Sequence, residues 1–311
     1  MTERQEQLRV GLSLAYRLMA DLFAGPVEEA LLVRARQSPL MGSAMDEQTS
    51  IDEIAAQHQR AFEWAAFPQR GVFMDPGGWA EGTSARAVTE ALASVGLTPR
   101  DTVATDHLSN ILDALAAAMD FGDESAEARI LCGQALPWIP AFTSAVERLG
   151  LSFPTALARQ VEDLLLYHLS SRAGHAPGDF LLGAPPPPLA LEDAETRLGD
   201  IVDHLLSPAR CGLFMSRVDI QSVARSSGGS TGFGGRRTML LHAIRTSVKH
   251  GKLSDLVQCV ESIHLAWLSE LERRVSEGFP EPIAAHWGGR CAVTLEALSA
   301  LERAAREEAA R

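Results

Sequence analysis

Alanine and leucine dominate this chain: 46 Ala and 40 Leu stand against 10 Ile and 17 Val among 311 residues. Residues that lose little entropy in a helix therefore outnumber the β-branched ones that suit a pleated surface by about three to one. The composition selects an all-α fold and excludes one dominated by sheet. With 46% hydrophobic residues, the chain can bury a sizeable core, and its length matches about two average domains.

The charge balance narrows the partners. Lys and Arg total 28 and Asp and Glu 40, a net of -12, so the surface offers no general attraction for nucleic acid or anionic lipid. A cationic partner suits it better. Cys132, Cys211, Cys259 and Cys291 are widely spaced with no CxxC, which reads as reduced thiols in a reducing compartment. The start, Met-Thr-Glu-Arg-Gln-Glu, lacks the basic and apolar run of a secretory signal, and no apolar run approaches the roughly 20 residues of a membrane span. The expectation is a cytoplasmic protein with no membrane insertion.

Periodicity predicts helix after helix. Leu8, Leu12, Ala15, Met19 and Leu22 draw one buried stripe from Arg4 to Ala24, and Pro26 opens a second helix ending near Gln37. Ser50 and Glu53 form a capping box for a helix through Ile54, His58 and Phe62 that ends near Phe67. Pro68 to Gly82 reads as a loop, yet Phe73, Met74 and Trp79 indicate that it folds back onto the body. Further helices are expected from Thr83 or Ser84 to Gly96, after a Thr105 cap through Leu108 and Met119, from Pro137 to Gly150, and from Pro154 through His168. Residues 173–190, with four consecutive prolines, predict a semi-rigid spacer between a module at 1–172 and a helical region at 191–311. In that second region helices are expected at Glu192 to Leu206, Ser216 to Arg225, Arg237 to His250, Leu253 to Val275 and after Trp287.

Few residues point to chemistry. There is no HExxH, GxSxG or cysteine pair at ligand spacing, so the expectation is no enzyme, no catalytic residue, no metal and no cofactor. Asp200, Asp203 and His204 share a helix face but read better as helix surface. The glycine-rich run Ser226 to Arg237 offers backbone N–H groups to an anion, but lacks the Lys and the preceding strand of a phosphate loop. Asp106 and His107, in the first turn of a helix, are stabilised there by free N–H groups; an accessible Asp106 could also take a partner's guanidinium, with His107 tunable near neutrality.

The order of these features resembles the TorD/DmsD/NarJ-type family of maturation chaperones for molybdenum enzymes. Tyr16, Leu18, Ala20, Leu22 and Phe23 are similar to that family's first-helix pattern, and His58 to Phe62 to its later aromatic-ended helix. Gly77 to Gly82, Gly96-Leu97, Ala104 to His107, and Trp138, Pro140 and Phe142 follow in the family's order. The likeness spans roughly residues 8 to 172; the family's proline before Asp-His is replaced by Ala104, and the part after Pro188 carries only weak similarities.

The resemblance implies an all-α multi-helix bundle of the TorD-like type with an additional C-terminal helical region. It implies a chaperone, monomer or homodimer, that holds the twin-arginine signal peptide and immature catalytic subunit of a molybdoenzyme until its cofactor is inserted. Asp106 and Glu81 are then the candidates to meet arginines, Trp79 and Phe62 to line the apolar part of a groove, and His107 to stand beside Asp106 at the same partner-binding site. Two rivals stand beside it: a cofactor- or nucleotide-binding protein using residues 226–237, and a structural helical subunit of a redox complex.

Overall fold

The computed structural model describes residues 3–38, 41, 50–77, 82–172, 180–184, 187, 189, 196–229 and 232–309. The fold is an all-α multi-helix bundle. Among the described residues the only extended pairing is a single bridge between Gln69 and His107. The chain divides into two compact units, residues 1–182 and 183–311, with the division inside the proline-containing segment.

In the first unit, α1 (Glu3–Ala24) packs along α6 (Leu108–Phe121), and between them come α2 (Glu29–Gln37), α3 (Ile51–His58), α4 (Arg70–Met74) and α5 (Thr83–Ser94). α7 (Glu124–Ile130), α8 (Ile139–Glu147) and α9 (Ser152–Ser171) complete it. The α1 stripe is buried as its spacing requires, with Tyr16, Met19 and Leu22 fully enclosed. Phe23, Phe62, Phe73, Trp138 and Phe142 form an aromatic core, with ring centroids 5.2 to 6.0 Å apart in the contacting pairs. Phe73 thus folds its segment onto the body, and that segment forms the short helix α4 where a loop is expected from the sequence.

Three other boundaries differ. α2 begins at Glu29 rather than at Pro26, and α3 continues into a π-helical turn, Gln59–Glu63, that stops short of Phe67. α6 is capped by His107, not Thr105. α7, with its own π-helical turn Leu131–Ala135, lies where no helix is expected: its sequence is short, and only Asp123, whose carboxylate accepts from the N–H groups of Ser125 and Ala126, announces it.

The second unit comprises α10 (Leu198–Leu206), α11 (Pro208–Cys211), α12 (Arg217–Ser226), α13 (Arg236–Lys249), α14 (Leu253–Ser276) and α15 (Glu281–Ala309). The Ser216–Asp219 capping box forms as the sequence predicts. α15 starts earlier than expected, so that Trp287 is buried inside it. Gly212 links α11 to the core with φ of +79°; a Cβ there would lie 2.7 Å from backbone atoms of Trp287 and Cys291. Among the described residues no helix is long and apolar enough to cross a membrane.

Candidate functional site

The first unit carries an open groove of about 880 Å³ between α5 and α7. Ala87, Glu90, Ala91 and Ser94 lie on one face of α5 at helical spacing and form one wall. Glu124, Ser125, Ala128, Arg129 and Ile130 form the other, with Gln134, Arg172 and Leu181 at the lining. Alanines on both helices keep the walls low, and a carboxylate stands on each wall. Of the two lining guanidiniums, Arg129 donates to Ser125 Oγ at 2.6 Å and Arg172 is ion-paired with Glu127.

A buried polar network supports both walls from behind. Residues 68–71 run antiparallel to 106–108: Leu108 N donates to Pro68 O at 2.8 Å, Arg70 N to Asp106 O at 3.0 Å, and Gly71 N to Asp106 Oδ2 at 2.6 Å. This places the Arg70 side chain inside the unit, where Nη1 donates to Ser84 Oγ at 2.6 Å and Nη2 reaches Gly133 O at 3.5 Å. Arg70 therefore joins the start of α5 to the turn after α7.

Asp75 completes the link by capping α5, accepting from Thr83 Oγ1 at 2.7 Å, Ser84 Oγ at 2.9 Å and Ser84 N at 3.2 Å. Glycine at 82 leaves room for this cap, because a Cβ would overlap the Asp75 carboxylate and push it aside. Burial pushes the Arg70 guanidinium down, opposed by Asp75 and Asp106, and burial raises the Asp106 carboxyl. Arg70 Nε, Asp106 Oδ1 and Gln134 Oε1 are buried with no hydrogen-bond partner.

The sequence-derived site residues are redistributed by this geometry. Asp106 is fully buried, so the expected accessible contact for a partner's guanidinium is corrected: its neighbours are Gly71 and the chain's own Arg70. His107 is buried too. Its Nδ1 accepts from Ser109 N at 3.2 Å, and burial, with His58 and Arg100 nearby, pushes it down to about 3 instead of leaving it tunable near neutrality. Phe62 belongs to the aromatic core with Phe23, His58 and Phe142, not to a groove lining. Trp79 and Glu81 lie outside the described residues. The sequence reading missed Arg70, Asp75, Glu90 and Gln134. Asp75 followed by Thr83-Ser84 was the one local signal, an acid before a helix start; the pairing of 68–71 with 106–108 had none.

The alternative site at 226–237 changes as well. Arg236 is drawn into the second unit, its guanidinium 4.4 Å over the Phe214 ring and donating to Met215 O, and burial lowers it to about 10. Arg237 pairs with Asp203. The two arginines that end this run are thus engaged within the protein. Asp200 accepts from Arg197 N, and His204 contacts Thr294 Oγ1 at 3.0 Å. Among the described residues no group of three His, Cys, Asp or Glu could hold a metal ion. No family model matches the chain, and no curated protein matches it significantly.

Proposed function

We propose that this chain is a maturation chaperone of the TorD/DmsD/NarJ type, a longer and atypical member, which holds a cationic, partly apolar signal peptide of an immature molybdoenzyme subunit in the cytoplasm. The observation that carries the reading is the α5/α7 groove: an open groove lined by alanines of both helices, with one carboxylate from each, Glu90 and Glu124. An extended peptide with an apolar stretch is the ligand class for such helical walls, and carboxylates favour one that carries arginines. The all-α fold and the order of sequence features between residues 8 and 172 support the same reading.

The role of Asp106 shifts accordingly. It does not touch the peptide; with Arg70 it positions the two walls that do.

The test is a fluorescence titration of the purified chain with a labelled synthetic peptide carrying an Arg-Arg pair followed by an apolar stretch. Micromolar or tighter binding is expected, weakened when Glu90→Lys and Glu124→Lys are combined. Absence of binding, or binding indifferent to both replacements, overturns the assignment of this groove. Affinity purification from the native host is expected to recover an immature molybdoenzyme subunit that still carries its signal peptide; recovery of only the mature, cofactor-loaded enzyme would favour a structural subunit instead.

A further inference from the structure

Residues 180–184 are not helical, and Leu181 belongs to the lining of the α5/α7 groove. Leu181 lies directly against Gly133: a Cβ there would lie 2.8 Å from Leu181 Cδ1, so any larger residue pushes that side-chain end aside. Gly133 thus makes a notch in the π-helical turn that admits one branched apolar side chain of a non-helical segment. The occupation is shallow, since Leu181 remains 59% exposed.

Beside the notch, Gln134 is 7% exposed, and its Oε1 has no hydrogen-bond partner. The segment that occupies the notch does not supply one. Leu182 N instead donates back to Phe180 O at 2.9 Å, closing a tight turn within the segment itself. A buried acceptor left unmatched costs free energy that an incoming donor recovers.

We propose that Leu181 is an intramolecular plug of this groove, and that an incoming extended peptide displaces it by placing its own apolar side chain in the Gly133 notch and a backbone N–H on Gln134 Oε1. This rests on the peptide-holding reading and adds a regulation to it. The plug lowers the affinity for every peptide by the fraction of molecules in which the notch is occupied. It sets a threshold that apolar side chains alone do not pass, because only a ligand with a free backbone donor gains the hydrogen bond that the plug forgoes.

The labelled Arg-Arg peptide tests this on the full chain. Leu181→Ser, at a half-exposed position that the core does not need, is expected to tighten binding about fivefold, equivalent to about 1 kcal/mol. Gln134→Leu is expected to weaken it by about the same factor, and circular dichroism of both variants is expected to match the parent. Opposite signs at adjacent positions of one groove support displacement. Affinity unchanged or weakened in Leu181→Ser overturns the plug while leaving the peptide-holding reading in place. No binding by the parent or either variant overturns that reading, and the plug with it.

Discussion

Acidification provides a sharp test of how the groove is supported, through His107. The ring caps α6 with Nδ1 as acceptor of the Ser109 N–H at 3.2 Å and in contact with Ser109 Oγ at 2.8 Å, so the cap exists only while that nitrogen is unprotonated. Burial lowers its proton affinity from the ordinary value of 6.5 to about 3. Above 6.5 neither the folded nor the unfolded chain is protonated there, and the residue contributes no pH dependence. Below 6.5 the unfolded chain takes up a proton that the folded one refuses, and stability falls at about 1.4 kcal/mol per pH unit until the folded value is reached.

At about pH 5 the loss from His107 alone is about 2 kcal/mol, a large share of the 5 to 15 kcal/mol that holds a typical domain together. Asp106 next to it has the opposite sign. Burial raises its carboxyl above the ordinary 3.8, so it favours the folded state on acidification between those two values. His107→Asn separates the two, because asparagine caps a helix well and does not titrate.

The assay is hydrogen exchange of the α6 amides, corrected for intrinsic rates and expressed as opening free energies, since two units make a global melt ambiguous. Between about pH 7.5 and 5 the parent is expected to lose about 2 kcal/mol more α6 protection than His107→Asn. Parallel losses in the two proteins would refute the buried-cap argument, including the claim that the 68–71 segment covers this helix start.

Removing Arg70 should be costly, because Asp75 and Asp106 then remain buried without their cation: Arg70→Met is expected to destabilise the first unit by about 3 to 5 kcal/mol in urea unfolding, with partial rescue by Asp106→Asn. Gly82→Ala should displace Asp75 from the α5 start and cost about 1 to 2 kcal/mol, seen as faster exchange of the first α5 amides. Tyr16 Oη lies 2.8 Å from His168 Nδ1, and His168 Nε2 lies 2.9 Å from Glu127, a buried chain that ties α1, α9 and α7 together. Tyr16→Phe leaves the His168 acceptor unmatched and is expected to lower stability by about 1 to 3 kcal/mol by denaturant titration. An unchanged midpoint would mean that the chain is not formed.

Much of the helical frame was legible because helices announce themselves locally. The α1 stripe, the Ser50 and Ser216 caps and the apolar spacing of α6 and α9 are signals contained within a few turns. α4 and α7 were illegible for the converse reason: α4 is too short to show a period, and it is held by Phe73 reaching Trp138 and Phe142, far away in sequence. The candidate groove was not readable in the sequence, because none of its lining residues carries a local signal. Asp106 and His107 stand out in the sequence as an acid and a titratable base at a helix start, and such a pair reads the same whether solvent or another segment covers it.

The sequence by itself determined the all-α class, most helix positions and the net negative charge, since each depends on composition or on neighbours a few residues apart. Only the tertiary structure decided which polar groups are available to a ligand. Folding lays residues 68–71 across the Asp106 turn, draws Arg70 between α5 and Gly133, turns Arg236 onto Phe214 and seats Leu181 in the groove. Availability depends on what packs over a group, and residues distant along the chain supply that cover.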